Sequence, residues 1–173
     1  MRKVGIVGMA PSTIAEAPYD DPSWELWTLP WSVVRRSDVF FDPHAYWPTQ
    51  GYYPCGQDRE TIAEWLSDLG GPVYMHEVEP DIPNSVAIPW EKIVATTGRA
   101  TGQDEPYIES TIGVMLAVAC IELQAGDRLG IWGVDLHTDG EYAYQRPNAE
   151  YLIGFLRGRG VSVYVPPKSA LLT

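Results

Sequence analysis

Short apolar runs recur along the chain, separated by polar segments that contain glycine or proline. Residues 4–7 predict a short buried strand near the start of the sequence. Residues 24–28 alternate apolar and polar side chains, which is typical of a strand. Runs of similar character predict further strands at residues 39–41, 73–75, 86–88, 129–132 and 161–165.

Three other stretches have the apolar spacing of helices. Residues 62–69 and 149–156 each place apolar side chains three and four positions apart, and a Gly-Gly pair ends the first of these helices. Residues 108–123 are apolar on most sides, which predicts a centrally buried helix with Ser110 as its N-cap and Gly126 at its end.

The alternation of strands and helices predicts a mainly parallel sheet with helices on both faces. We therefore expect one three-layer, Rossmann-like α/β domain over residues 1–173. Residues 77–106 are rich in proline, glycine, threonine and charge, and we expect a mobile loop region there, placed to act as a lid.

The turn after the first strand contains Gly8, Pro11, Ser12 and Thr13 and is a candidate ligand-binding turn. Unpaired backbone N–H groups and two hydroxyls near a helix N-terminus can hold a phosphate without a dedicated cation. Pro11 removes one of these N–H donors. The alternative interpretation is an ordinary tight connection between a strand and a helix.

The densest polar segment follows the strand at residues 129–132. Asp135, His137 and Glu141 lie there, with Asp139 between them. Such groups can orient a ribose hydroxyl, hold a divalent cation or act as a general base. Asp135 is the strongest candidate because it follows the strand end closely; the alternative is an Asp that caps a turn beside solvated acids.

Four further residues are candidates for ligand binding. Asp42 and His44 follow the third strand and could face the same cleft. Ser110 and Thr111 begin the buried helix, where hydroxyls and free N–H groups suit an anion, although capping alone explains Ser110.

Arg146 is a candidate of another kind, because it precedes the last helix and carries a positive charge. Two roles are open for it. It could neutralise a phosphate, or it could form an ion pair with Glu141.

Charge and cysteine content narrow the possible partners. The chain has 12 Lys and Arg against 23 Asp and Glu, a net charge of −11, which argues against a broad nucleic-acid surface. The longest apolar run is too short to cross a bilayer and the chain opens on a strand, so we expect a cytoplasmic protein without membrane contact. Cys55 and Cys120 lack metal-ligand spacing, and we expect both to be reduced.

Several stretches carry a resemblance to a known group. They are G-M-A-P-S-T, W-E-L-W, F-D-P-H, Y-I-E-S-T-I-G and G-V-D-L followed by E-Y-A-Y-Q-R-P-N-A-E-Y-L-I-G. Over most of its length the chain resembles small, largely uncharacterised proteins of tailed phages and prophages. That resemblance implies a phage origin, hence the host cytoplasm, and no particular activity.

The first turn and the later G-x-D are also similar to Rossmann-like transferases, namely the MptE-like hydroxymethylpterin diphosphokinases and the bacterial sialyltransferases. This similarity implies that Gly8, Pro11 and Ser12 face a nucleotide and that Asp135 lies near its ribose or metal. Met9 and Ala10 stand where those families have the region of their second glycine.

Two functions follow as hypotheses. The first is a glycosyl- or phosphotransferase that uses a nucleotide or sugar nucleotide, with Mg²⁺ as the cofactor such a ligand would bring, in phage nucleotide or DNA-base modification. The second is a non-catalytic protein that binds nucleotides or contacts a host partner.

Overall fold

The structure is a computed structural model that describes residues 1–43, 59–97, 108, 110–137, 140 and 142–173. It contains these strands: β1 (Lys3–Val7), β2 (Glu25–Thr28), β3 (Val39–Asp42), β4 (Val73–Met75), β5 (Ser85–Ala87), β6 (Arg128–Trp132) and β7 (Ser162–Tyr164). It contains these helices: α1 (Arg59–Ser67), α2 (Trp90–Thr97), α3 (Thr111–Glu122) and α4 (Tyr142–Gly158), with a 3-10 turn at Ile14–Glu16.

The strands form one sheet in the order β5-β4-β3-β2-β1-β6-β7, and each neighbouring pair is parallel. The chain therefore builds outward from β1 to β5 and then crosses to the other side of β1 for β6 and β7. This reversal places a topological switch point between β1 and β6. The expected three-layer, Rossmann-like α/β fold is confirmed.

Helices α2, α3 and α4 cover one face of the sheet. Apolar side chains of α3 are buried on nearly every side because the helix packs against the sheet and against both other helices. Each fully buried aliphatic side chain contributes about 1.5–3 kcal/mol relative to exposure. This packing explains why residues 108–123 lack an amphipathic pattern.

The opposite face is covered in two parts. Helix α1 packs Ile62 and Leu66 against the side chains of β3 and β4. Further along, Trp132 and Leu26 are covered by the segment that follows β1, including the buried ring of Tyr19. The sheet is thus buried on both faces, as expected for parallel strands.

The region 77–106 is more regular than the expected loop. The strand predicted at residues 86–88 is β5 at Ser85–Ala87, but Trp90–Thr97 forms the helix α2, which was not predicted, with buried Ile93 facing the core. Trp90, Ile93 and Thr97 have helical spacing, and Pro89 suits the start of a helix, but the local Pro, Gly and Thr content outweighed this signal. Residues 98–106 lie outside the described residues.

Helix ends and cysteines agree in part with the sequence-based predictions. Ser110 caps α3, since its hydroxyl accepts a hydrogen bond from the Gly113 N–H at 3.0 Å. Helix α4 begins well before residue 149. Cys120 is a free thiol. Burial raises the pKa of Cys120 to about 12, although the positive charge of Arg159 acts to lower it. Cys55 lies outside the described residues.

In the part of the chain that the structure describes, no helix is long and apolar enough to cross a membrane.

An ion-pair network lies at the amino-terminal ends of the strands, called the amino-terminal edge below. The Arg2 guanidinium lies 2.7 Å from both Glu25 and Glu122. The Tyr74 hydroxyl donates to Glu122 at 3.2 Å; burial, followed by the charge of Glu122, raises the pKa of Tyr74 to about 12. These contacts join β1, β2, β4 and α3.

Asp38 supplies a pH-dependent part of the stability at this edge. Burial raises its pKa, but hydrogen bonds from Arg36 and from the Leu26 N–H outweigh burial and leave the pKa lowered. A lowered pKa in the folded state contributes stability above the unfolded value of about 4, and this is lost as pH falls through the folded value.

We therefore expect Asp38→Asn to destabilise the protein at pH 7 by about 1 kcal/mol, a small effect because 36% of the side chain is exposed and water screens the pair. The difference from wild type should shrink below about pH 4. Urea unfolding against pH measures it. Asp20→Asn is the control, and it should have little effect because the carboxylate of Asp20 is 88% exposed. If Asp38→Asn is still less stable than wild type by the same amount at pH 2–3, the charge of Asp38 is not the source of the stability.

Candidate functional site

The turns after β1 and β6 are joined by hydrogen bonds. The N–H of Gly8 donates to the Trp132 carbonyl at 2.9 Å, and the N–H of Ala10 donates to the Gly133 carbonyl at 2.8 Å. The Gly133 N–H in turn donates to the buried hydroxyl of Thr13 at 2.8 Å. The two strand ends of the switch point therefore form one rigid unit.

Two glycines allow this close approach. A Cβ on Gly8 would lie 2.4 Å from the Gly133 carbonyl oxygen, and a Cβ on Gly133 would lie 2.6 Å from the Gly8 carbonyl oxygen. Gly133 also has φ +63°, a conformation that favours glycine. Backbone packing between β1 and β6 is thus sufficient reason for glycine at both positions.

The candidate ligand-binding turn after β1 has fewer free N–H donors than expected. The N–H groups of Gly8 and Ala10 are not free, since β6 and its turn accept both, so that expectation is wrong for these two groups. Only the 3-10 turn Ile14–Glu16 follows, rather than an α-helix with a free N-terminus. Pro11 is exposed and has no N–H to offer.

Asp135 lies beside Ser12, as predicted. The Ser12 hydroxyl donates to Oδ1 of Asp135 at 2.8 Å, and the Ala170 N–H donates to the same oxygen at 3.2 Å. The Asp135 side chain is 13% exposed. The hydrogen bond from Ser12 spans the two sides of the switch point, so the strand order itself explains why the two residues meet.

The second carboxylate oxygen of Asp135 has a different environment. Oδ2 lies 4.0 Å from Nε2 of His137, whose side chain is 67% exposed. Leu136, between them, is buried with φ +45°, a left-handed conformation that costs a non-glycine residue about 1–2 kcal/mol. This backbone turns Asp135 and His137 toward the same side, where a hydroxyl or a cation could approach Oδ2.

Other predicted residues lie elsewhere. Asp42 is the buried last residue of β3, three strand spacings, or about 14 Å, from β6. Ser110 caps α3 and Thr111 is its first residue. Neither of these two helix residues makes a hydrogen bond to Asp135 within the described residues.

Arg146 is engaged in internal contacts. Its Nε donates to Glu150 at 2.7 Å and its Nη2 to the Thr173 carbonyl at 2.5 Å. Among the described residues, the ion pair of Arg146 is made with Glu150, one helical turn along α4. Its two candidate roles were a phosphate contact and a pair with Glu141, and Glu141 lies outside the described residues.

The predicted site residues His44 and Glu141, together with Asp139, lie outside the described residues. Among the described residues, no group of three His, Cys, Asp or Glu side chains could hold a metal ion. A divalent cation at Asp135 would therefore need further oxygens from its own ligand, such as phosphate oxygens.

Two cavities lie at the other end of the sheet, beside the amino-terminal ends of the strands. One of about 360 Å³ is lined by Glu25, Tyr74 and Glu122 among others, and one of about 350 Å³ adjoins it beside Arg36. The carboxylates that line them form ion pairs with Arg2 and Arg36, so their negative charge is already balanced within the protein.

Sequence reasoning missed the contribution of the segment that follows β7. The Ser169 hydroxyl donates to the Val134 carbonyl at 2.6 Å, and Ala170 binds Asp135 through its backbone. A backbone donor leaves no signal in residue type, and one serine in P-P-K-S-A-L-L has no periodicity to mark it.

Comparison of the chain with protein-family models, with curated proteins and with solved structures gave no match. The resemblances to phage proteins and to Rossmann-like transferases therefore stay predictions.

Proposed function

We propose that the protein binds a nucleoside phosphate or sugar nucleotide at the carboxyl ends of β1 and β6 and transfers a group from it. The observation that carries this proposal is the Ser12–Asp135 hydrogen bond, which joins the residues after these two strands. Open parallel sheets hold their ligands in the crevice outside the strand ends at the switch point.

Asp135 is the proposed catalytic base. The Ser12 hydroxyl holds its Oδ1, which leaves Oδ2 oriented to accept the proton of an attacking hydroxyl. General base catalysis of this kind contributes about 10²–10⁴-fold. His137, exposed beside Oδ2, is placed to take part in proton transfer, and Ser12 acts by orienting the carboxylate.

Mg²⁺ fits the same proposal as a cation that arrives with the phosphates. Magnesium sites commonly use one or two carboxylates together with substrate phosphate oxygens and water. Oδ2 of Asp135 would supply one such oxygen where Asp135 serves as a metal ligand instead of the base, and the phosphates of the nucleotide would supply the others.

A nucleotide-binding protein without catalysis is the second candidate. It is favoured by the contacts of Arg146, because a guanidinium that donates to Glu150 and Thr173 is not free to stabilise the charge that develops on a phosphate during transfer. Turnover by the wild-type protein separates the two candidates.

A thermal-shift series tests the binding step. The probes are UDP, UDP-glucose, ATP and GTP, each with and without Mg²⁺. At a hundred times the dissociation constant, stabilisation should be about 2.7 kcal/mol, which raises Tm by about 5–10 °C in a domain of this size. The rise should be lost in Asp135→Ala and kept in Asp20→Asn, a change at an exposed carboxylate outside the site. No rise with any probe would overturn the proposal.

A further inference from the structure

We infer that residues 166–173, called the strap below, occupy the ligand position at Asp135 and move away when a nucleotide binds. This inference rests on the proposed function and adds a mode of regulation to it. The strap follows β7, the edge strand next to β6, and passes back over the carboxyl end of β6. It therefore lies over one side of the switch point.

The strap contacts Asp135, the proposed base, and Arg146, for which the sequence left a phosphate-binding role open. The Ala170 N–H donates to the Asp135 carboxylate at 3.2 Å, and the Thr173 carbonyl accepts from the Arg146 guanidinium at 2.5 Å. A ribose hydroxyl would offer the same kind of donor to Asp135, and a phosphate oxygen would offer the same kind of acceptor to Arg146. The strap thus gives Asp135 a donor and Arg146 an acceptor, as a nucleotide would.

One turn links the two contacts. The N–H and the hydroxyl of Thr173 both donate to the Ala170 carbonyl, at 3.4 and 2.7 Å. Residues at the ends of such a turn have Cα atoms less than about 7 Å apart. The carboxylate of Asp135 and the guanidinium of Arg146 are therefore within reach of one small ligand once the turn has left.

Opposing features set how firmly the strap is held. Leu171 is buried in the main core, and the Ser169 hydroxyl both donates to Val134 and accepts from the Leu171 N–H. Leu172, by contrast, is exposed with φ +71°, a strained conformation for a branched side chain. These features together set the fraction of molecules in which the strap is open. The apparent dissociation constant for a nucleotide is the intrinsic one divided by that fraction, so a strap that is mostly closed weakens binding.

Two variants should open the strap, and two serve as comparisons. Ala170→Pro removes the N–H that binds Asp135, whereas Ala170→Gly keeps it. Ser169→Ala removes both hydrogen bonds of the buried hydroxyl. Leu172→Gly relieves the positive φ and should hold the strap closed more firmly.

The probes are UDP and ATP with Mg²⁺, titrated by calorimetry. We expect Ala170→Pro and Ser169→Ala to bind at least one probe about fivefold or more tightly than wild type, Ala170→Gly to match wild type within twofold, and Leu172→Gly to bind about threefold less tightly. In the wild-type protein, the amides of residues 170–173 should exchange faster when the probe is bound.

The outcomes separate the two proposals. If a probe binds wild type and every strap variant equally, or protects the strap amides, the strap inference is overturned and the nucleotide site stands. If neither probe binds wild type or any variant, the nucleotide site itself is overturned. Leu172→Gly does not depend on a weakened fold, so a loss of folding in Ala170→Pro leaves the test intact.

Discussion

Asp135→Asn is expected to abolish turnover while leaving the fold intact. Hydrolysis of the bound nucleotide or sugar nucleotide, with water as the acceptor, should fall by about 10²–10⁴-fold, the usual contribution of a general base. Tm should stay within about 2 °C of wild type, because the asparagine carbonyl can accept the bonds from Ser12 and Ala170 that Oδ1 accepts now.

Asp135→Ala is the matched comparison for stability. It leaves the Ser12 hydroxyl and the Ala170 N–H without their acceptor, which costs about 1–3 kcal/mol. If Asp135→Asn instead unfolds the protein, Asp135 is a structural cap. If the asparagine variant stays folded and hydrolysis continues at the wild-type rate, the chemistry lies elsewhere and the non-catalytic alternative becomes the better account.

Gly133→Ala is expected to have the largest effect on stability. The added methyl group would lie 2.6 Å from the Gly8 carbonyl oxygen, and that neighbour is backbone, which cannot rotate away. The φ of +63° adds about 1–2 kcal/mol of strain. Together we expect a loss of about 3 kcal/mol or more, which lowers Tm by about 6–12 °C.

Gly154→Ala is the control for the glycine substitution itself. It lies within α4, and nothing stands within 4 Å of the position its Cβ would take. Alanine there should stabilise the protein by about 0.5–1 kcal/mol, since glycine is a poor helix former. Chemical unfolding measures both variants, and a Gly133→Ala protein as stable as wild type would contradict the close approach of β1 and β6.

The sheet could be predicted from the sequence because parallel strands buried on both faces read as apolar runs. Residues 73–75 and 129–132 show such runs, and both correspond to strands within one residue. Helix α2 was missed although Ile93 has the right spacing, because proline, glycine and threonine around it dominated the local composition. Strand order, by contrast, depends on tertiary packing that no single segment encodes.

The part of the candidate site that follows the ends of strands could be predicted from the sequence. Asp135 and Ser12 each follow a strand, and parallel strands bring their carboxyl ends to one edge. The contacts of Ala170 and Thr173 were beyond prediction, since both act through backbone groups. The sequence also could not distinguish the packing role of Gly8 from a ligand-binding role, because a glycine needed for packing and one needed for a phosphate look alike in sequence.

Hydrogen exchange in the presence of the probe that gives the largest thermal shift locates the bound ligand directly. The account predicts slower exchange at residues 9–13 and 134–137, the turns after β1 and β6, in the presence of the nucleotide. Protection confined to the amino-terminal edge, around Glu25, Tyr74 and Glu122, or no protection at all, would contradict a ligand site at the switch point.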